Sequence, residues 1–328
     1  MSVRVSWDQV FAWRMQRQFL RADGGRVIGH GDEVDAVDVA DVVDVVRRLA
    51  GVQAQVASSA RAAVAVRRTA DSLATTADVD AALGDGRLVK TWAMRGTLHL
   101  LPADVAGSYL ALMAAGRSWT KPSWQKAFGV SPAQIERLAE IVTEALDGQV
   151  LTRDQLVEQV TRRTRNADLA NGLRSGWGTV LKPLAWKGVF CHGPSTGTRV
   201  TFTSPDTYLS GWTGLPEPAE AAPAVIRAYL GAHGPASITT FGKWLFRGAS
   251  TTLLRHWFDV AGDIVTTVDV EGEHLLVLAD DVEAIAATKP TPSVRLLPAF
   301  DQYVLGPQTD DPHLIPPGRR ADVSRTAG

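Results

Sequence analysis

The sequence predicts an α+β fold, mainly α, made of tandem winged helix-turn-helix domains with small β-ribbons and a short C-terminal strand segment. Two observations predict it. Residues 131–203 read as helix, helix, helix and two-stranded ribbon, and residues 224–278 repeat that order after the Pro-rich linker GLPEPAEAAP at 214–223. An order that returns is a stronger signal than either copy alone, since each copy is one supersecondary unit. At 328 residues the chain has room for two or three domains, and 45% apolar content is ample for their cores.

The N-terminal stretch MSVRVSWDQVFAWRMQRQFLRADGG is amphipathic and interrupted by Arg14, Arg17 and Arg21, so it does not read as a secretory signal. Residues 38–50, DVADVVDVVRRLA, form the clearest helix, with Val39, Val42, Val43, Val46 and Leu49 at i, i+3, i+4, i+7 spacing. Asp38 suits its N-cap, Arg47 and Arg48 its last turn, and Gly51 its stop. A second helix starts at Ser58 or Ser59 and runs through ARAAVAVRRTA, and LVKTWAMRGTLHLLP at 88–102 is hairpin-like. These elements make an N-terminal winged-helix-like domain, 1–115.

In the second domain, 116–213, Ser131 caps a helix with Pro132 at its first position, and Thr152 caps the next. A third helix lies in WGTVLKPLAWKG, and VFCHG and TRVTFT flank the turn residues PSTG. The third domain, 214–290, repeats the pattern in PAVIRAYLGAHG, SITTFGKWLF and TTLLRHWFDVAG, then in DIVTTVDV and EHLLVLA around Glu271 and Gly272. Residues 291–328 form the C-terminal strand segment, where Asp301 and Tyr303 of AFDQYVLG read as a structural strand pair.

Net charge is −1, but it is unevenly placed. Residues 161–188 carry Arg162, Arg163, Arg165, Arg174, Lys182 and Lys187 against Asp168 alone, whereas 259–283 carry eight acids and no Lys or Arg. A near-neutral total can conceal a basic face opposed by an acidic one; a solvated helix face is the competing reading. The six cations are the predicted phosphate contacts. The single cysteine, Cys191, excludes a disulfide framework and a thiolate cage and fits a reducing cytoplasm. Inside an apolar strand it reads as a buried small hydrophobe. No run approaches the roughly 18 to 20 apolar residues of a membrane span.

Several chemistries are unsupported. GGRVIGHG at 24–31 lacks the dinucleotide-binding spacing, Gly242-Lys243 is followed by Trp244 rather than Ser or Thr, and Ser175 in GLRSG is not a nucleophile elbow. The seven histidines show no close ligand pairing, so no metal and no cofactor are expected.

The stretch VQAQVASS at 52–59 sets Gln53 and Gln55 two apart in a short apolar connector. On a helix such residues lie about 200° apart, whereas in an extended chain they share a side. Gly51 ends one helix and Ser58 or Ser59 starts the next. An extended 52–57 lets the two amides converge on one small volume while Ala54 packs inward. The competing reading is that both glutamines satisfy backbone groups between the two helices.

LAGVQAQVASSARAAVAVR, TWAMRGTLHLLP and RLLPAFDQYVLG together resemble the AlkZ-like branch of the AlkZ/YcaQ family of winged-helix DNA glycosylases. The resemblance covers nearly all of the chain, with three separated motifs in order. It implies a monofunctional DNA N-glycosylase that removes N7- or N3-alkylated purines, in some members from interstrand crosslinks. Such an enzyme serves base-excision repair or self-resistance to a DNA-alkylating compound. The catalytic motif, glutamine, an apolar residue, then glutamine or aspartate, falls on Gln53-Ala54-Gln55. The family pattern continues past this point with further C-terminal strands, whereas this sequence ends at GRRADVSRTAG, which predicts an open strand edge.

The chemistry that the resemblance implies asks little of a base. An N-alkylated purine is cationic and leaves neutral, through an oxocarbenium-like state. Amide oxygens can orient a water and favour the developing positive charge. Gln55 then holds the water and Gln53 orients Gln55 or the sugar, or the two roles are reversed. Trp92 reads as core, Arg95 as a phosphate contact near the lesion, and His99 as a pocket or turn residue. The expected partner is double-stranded DNA with alkylated purines, and the expected protein is monomeric, cytoplasmic and nucleoid-associated, with no membrane contact. The alternative function is a non-catalytic winged-helix DNA-binding regulator.

Overall fold

Helix starts follow the caps written in the sequence. Ser6 and Gln9 close a reciprocal capping box on helix Trp7–Arg17, with Gln9 N donating to Ser6 Oγ at 3.2 Å and Ser6 N to Gln9 Oε1 at 3.0 Å. Ser131 and Gln134 do the same for Pro132–Leu146, and Thr152 with Gln155 for Arg153–Thr164. The computed structural model describes residues 3–21, 41–68, 72–164, 169, 172–175, 178–195, 197, 199–246 and 248–323. The fold is mixed α/β with helices dominant, and the chain forms two units, residues 1–79 with 222–328 and residues 80–221.

The first unit has a three-stranded sheet in the order Arg4–Val5, Val265–Val270, Glu273–Leu278. The ribbon is antiparallel, from Val265 opposite Leu278 to Val270 opposite Glu273. Its tight turn needs two left-handed residues, and Glu271 and Gly272 supply them at φ 50° and 96°. Arg4–Val5 joins in parallel beside Asp269 and Val270. Helix Trp7–Arg17 covers this sheet, burying Val10 and Trp13 against Val268, Val270, Leu275 and Val277. Helices Pro218–His233, Ile238–Leu245 and Thr251–Ala261 precede the ribbon, and Ala236 bridges to Leu276. Tyr229, Phe241 and Trp244 form their aromatic core, with ring centroids 4.8–5.7 Å apart.

Several expectations are corrected here. The linker at 214–223 gives way to helix at Pro218, because proline suits a first helical position and Ala221 and Ala222 are fully buried. Asp41, not Asp38, caps Val42–Arg48, accepting from Val43 N at 3.3 Å; Asp38 lies outside the described residues. The next helix starts at Ala57, with Ser58 and Ser59 inside its first turn rather than at its cap. The C-terminal strand segment is absent among the described residues: the only regular elements in 291–323 are short helices, Gln302–Leu305 and Arg320–Val323. Asp301 is not half of a strand pair; its carboxylate accepts from Tyr303 N at 2.9 Å and starts a helical turn. Four prolines at 307, 312, 316 and 317 remove the donors that a ladder needs.

In the second unit five strands follow in the antiparallel order Leu98–Pro102, Leu88–Trp92, Cys191–His192, Thr201–Thr203, Val150–Thr152. The 88–102 hairpin forms as expected, with Thr91 opposite His99 and Trp92 opposite Leu98. The Cys191–His192 strand joins it through Lys90 opposite His192, so the ribbon of the middle repeat is part of a wider sheet. Trp92, Phe190, His192 and Phe202 pack edge-on or tilted against one another beneath it. Helices Ala103–Ala115, Pro132–Leu146, Arg153–Thr164 and Leu181–Trp186 supply the rest of the core. Among the described residues no helix is long and apolar enough to cross a membrane.

Candidate active site

The connector carrying the two glutamines is set by what ends the helix before it. After Val42–Arg48 the chain turns through two consecutive left-handed residues, Ala50 at φ 54° and Gly51 at φ 95°. The sequence placed that turn on Gly51 alone; Ala50 shares it at some steric cost. Ala50 N and Gly51 N donate back to Arg47 O and Val46 O at 3.0 Å each, closing the helix end. Val52 and Gln53 then run extended. Val52, Gln53 and Ala54 are buried, whereas Gln55 and Val56 are exposed. Ala54 packs inward as expected, and the pair divides into one buried and one solvent-facing amide.

Helix Ala57–Ala65 follows, and its small buried face, Ala60, Ala63 and Val64, lets it sit close to its neighbours. Beyond its end Arg67 is buried. The Arg67 guanidinium donates to Ala63 O at 2.7 Å, to Gln18 Oε1 at 3.2 Å and to both Asp301 oxygens at 2.7 Å. The carboxylate that starts the Gln302–Leu305 turn therefore also anchors the helix that follows the glutamines. Neither partner was singled out as a pair from sequence, where 234 positions separate them.

The other candidates lie in the second unit. Arg95 sits at the tip of the 88–102 hairpin in a left-handed conformation, φ 56°, followed by Gly96 at φ 67°. A side chain on Gly96 would lie 3.4 Å from Lys182 Cδ and 3.6 Å from its Nζ, so Arg95 and Lys182 share this tip. Burial lowers the Lys182 ammonium from its ordinary value. His99 is fully buried, with Nδ1 3.0 Å from Thr97 O. Burial, reinforced by Arg95, pushes its pKa down to about 3 and keeps the imidazole neutral. Trp92 is buried in the aromatic core.

The predicted cationic run is largely charge-compensated. Arg162 pairs with Glu158, Arg163 with Glu144, Arg174 with Asp154 at 2.8 Å and Lys187 with Glu136 at 2.9 Å. Arg165 lies outside the described residues. Among the described residues no group of three His, Cys, Asp or Glu side chains is placed to hold a metal ion.

An exposed amide beside a buried one, on a connector with no titratable side chain, suits water positioning rather than proton transfer. A family model described as DNA glycosylase AlkZ-like matches residues 46–320, a span that contains this connector. The chain belongs to the AlkZ-like family of DNA glycosylases. This AlkZ-like chain is 50% identical to the interstrand DNA cross-link repair glycosylase of Streptomyces sahachiroi, over 99% of the chain and 84% of that protein. The solved structure of Streptomyces sahachiroi DNA glycosylase AlkZ is similar with a TM-score of 0.90, at the same identity and coverage. The AlkZ-like chain is thus an enzyme of the class that hydrolyses N-glycosidic bonds in DNA.

Proposed function

We propose that this glycosylase releases N7- and N3-alkylated purines from double-stranded DNA, crosslinking adducts included, with Gln53 and Gln55 as its catalytic residues. The observation that carries the reading is the divided glutamine pair. Gln55, exposed, holds the attacking water; Gln53, 8% exposed, orients Gln55 or the sugar from a fixed position. Two neutral amides suffice only when the leaving base is already cationic, so the motif itself contributes selectivity for damage. Crosslink adducts enter the proposal because the Streptomyces sahachiroi relative is named for their repair.

Arg95 and Lys182 at the hairpin tip, with Arg162, Arg163, Arg165, Arg174 and Lys187, are the proposed phosphate contacts, and neutral His99 supports the tip from beneath. The winged-helix reading also belongs here. The order helix, strand, helix, helix, ribbon is supported in 132–203, where Val150–Thr152 pairs with Thr201–Thr203, and in 218–278, where Ala236 bridges to Leu276. We assign those segments to winged-helix domains at 116–213 and 214–290.

The test is release of free alkylbase from N7-methylated or mustard-treated duplex DNA. Wild type releases base; Gln55→Ala, which removes an exposed side chain, slows single-turnover release by about 100-fold and leaves DNA binding intact. An unchanged rate removes Gln55 from the mechanism. No release by wild type at excess enzyme favours the DNA-binding regulator instead.

A further inference from the structure

The helix Pro122–Phe128 buries none of its seven residues, yet it carries Trp124 and Phe128. These two lie four apart and share one helix face, with rings in edge contact at 4.9 Å and 62°. Phe128 is 43% exposed. Trp124 is half-buried, and a helix with no fully buried residue gains little stability from its own packing.

The segment is nevertheless fixed at both ends. Before it, Arg117 takes a left-handed turn, φ 41°, and Trp119 is buried beside Trp186 at 6.3 Å. After it, Gly129 at φ 67° closes the helix by donating to Gln125 O at 2.8 Å, and Val130 is buried. The middle is held out by its anchors.

The charge of this strap has one sign. From 105 to 135 the sequence contains Arg117, Lys121 and Lys126 and no acid. All three cations are exposed, and none pairs with an acid among the described residues. That sets them apart from Arg162, Arg163, Arg174 and Lys187, each tied to a carboxylate. Lys121, three residues before Trp124, lies on the aromatic side of the helix, whereas Lys126, two residues from each ring, lies on the opposite side. Uncompensated Arg117 and Lys121, leading into a helix with a half-buried Trp124 and an exposed Phe128, make a surface on which an unpaired base stacks while its phosphates are neutralised.

We infer that the 117–128 strap is a second DNA-contact surface, which takes unpaired nucleotides of the substrate by stacking on Trp124 and Phe128 and by phosphate contacts to Arg117 and Lys121. The inference rests on the proposed function only in that the chain acts on DNA. Fully paired DNA presents its backbone to Arg117 and Lys121 but no free base face to the rings.

The experiment measures binding of the full chain, across a salt series, to a labelled duplex with a bulge of unpaired nucleotides and to its fully paired counterpart. Wild type prefers the bulged duplex. Trp124→Ala/Phe128→Ala loses that preference by about tenfold with its salt slope unchanged, and Phe128→Ala, which removes a 43% exposed ring, loses part of it. Lys121→Ala lowers the slope of log K against log salt by about 1 on both duplexes. If the aromatic variants keep the preference while wild type binds DNA, the stacking surface is overturned and the strap faces something else. An unchanged slope in the lysine variant overturns the phosphate contacts. Strap effects on binding without base release by wild type leave this inference standing and overturn the proposed catalysis; no DNA binding by wild type overturns both.

Discussion

Removing the Asp301 carboxylate tests how the C-terminal segment supports the glutamine connector. Arg67 and Asp301 side chains are 0% and 1% exposed, joined by two 2.7 Å bonds. In Asp301→Ala the guanidinium keeps only Ala63 O and Gln18 Oε1 as acceptors and has no counter-charge at contact distance. Orphaning one partner of a buried pair costs about 3–5 kcal/mol, and losing the bond from Tyr303 N costs about 1 kcal/mol more. The sum, about 4–6 kcal/mol, is comparable with the whole stability of a domain. In urea unfolding followed by tryptophan fluorescence, Asp301→Ala should therefore move the midpoint by most of its value or leave the first unit unfolded. Asp301→Asn keeps the shape and the oxygen facing Tyr303 N, and should lose about 3 kcal/mol. Arg67→Met/Asp301→Ala should recover part of the loss, since no charge is left buried. A stability of Asp301→Ala within about 1 kcal/mol of wild type would refute the reasoning, because a carboxylate that anchors this helix cannot be removed so cheaply.

Two further outcomes follow from burial in the second unit. His99 and His192 are both pushed down to about 3 by desolvation, so between about pH 6.5 and 3 the unfolded chain binds protons that the folded one does not. Stability in this unit is then complete above pH 6.5 and falls on acidification, by about 1.4 kcal/mol per pH unit for each histidine. Urea midpoints at pH 7 and 5 check it, and a flat profile, or an unchanged one in His99→Gln, speaks against it. Cys191 is 2% exposed and burial pushes its thiol up to about 12. Folded protein should therefore resist a thiol reagent that titrates one group after denaturation; rapid reaction of the native chain would contradict the buried strand.

Caps and turns were legible because their signals act within a few residues. Ser131-Pro132 with Gln134, Thr152 with Gln155, and Glu271-Gly272 each carry their own donor, acceptor or backbone freedom, and each stands where the pattern put it. The C-terminal segment was misread for the opposite reason. Asp301 is drawn into a helical cap by Tyr303 N and held there by Arg67, 234 positions away. The motif singled out Gln53 and Gln55 as candidates and placed Ala54 inward, but did not tell which amide is buried. Cysteine burial was readable from its apolar flanks; the compensation of Arg163 and Lys187 was not, because Glu144 and Glu136 come from another helix.

By itself the sequence determined several helices with the caps at Ser131 and Thr152, the turn at Glu271-Gly272, the repeated order of elements and the glutamine motif, since these depend on periodicity and on bonds spanning a turn or less. Only the tertiary structure decided that Arg4–Val5 adds to the ribbon at Asp269–Val270, and that Cys191–His192 extends the 88–102 hairpin. It alone decided that Arg67 meets Asp301 across 234 positions and that Arg162, Arg163, Arg174 and Lys187 each meet a carboxylate. Pairings of that kind are selected by the burial of apolar surface from distant segments and by charges that meet only after it, and neither leaves a local periodicity to read.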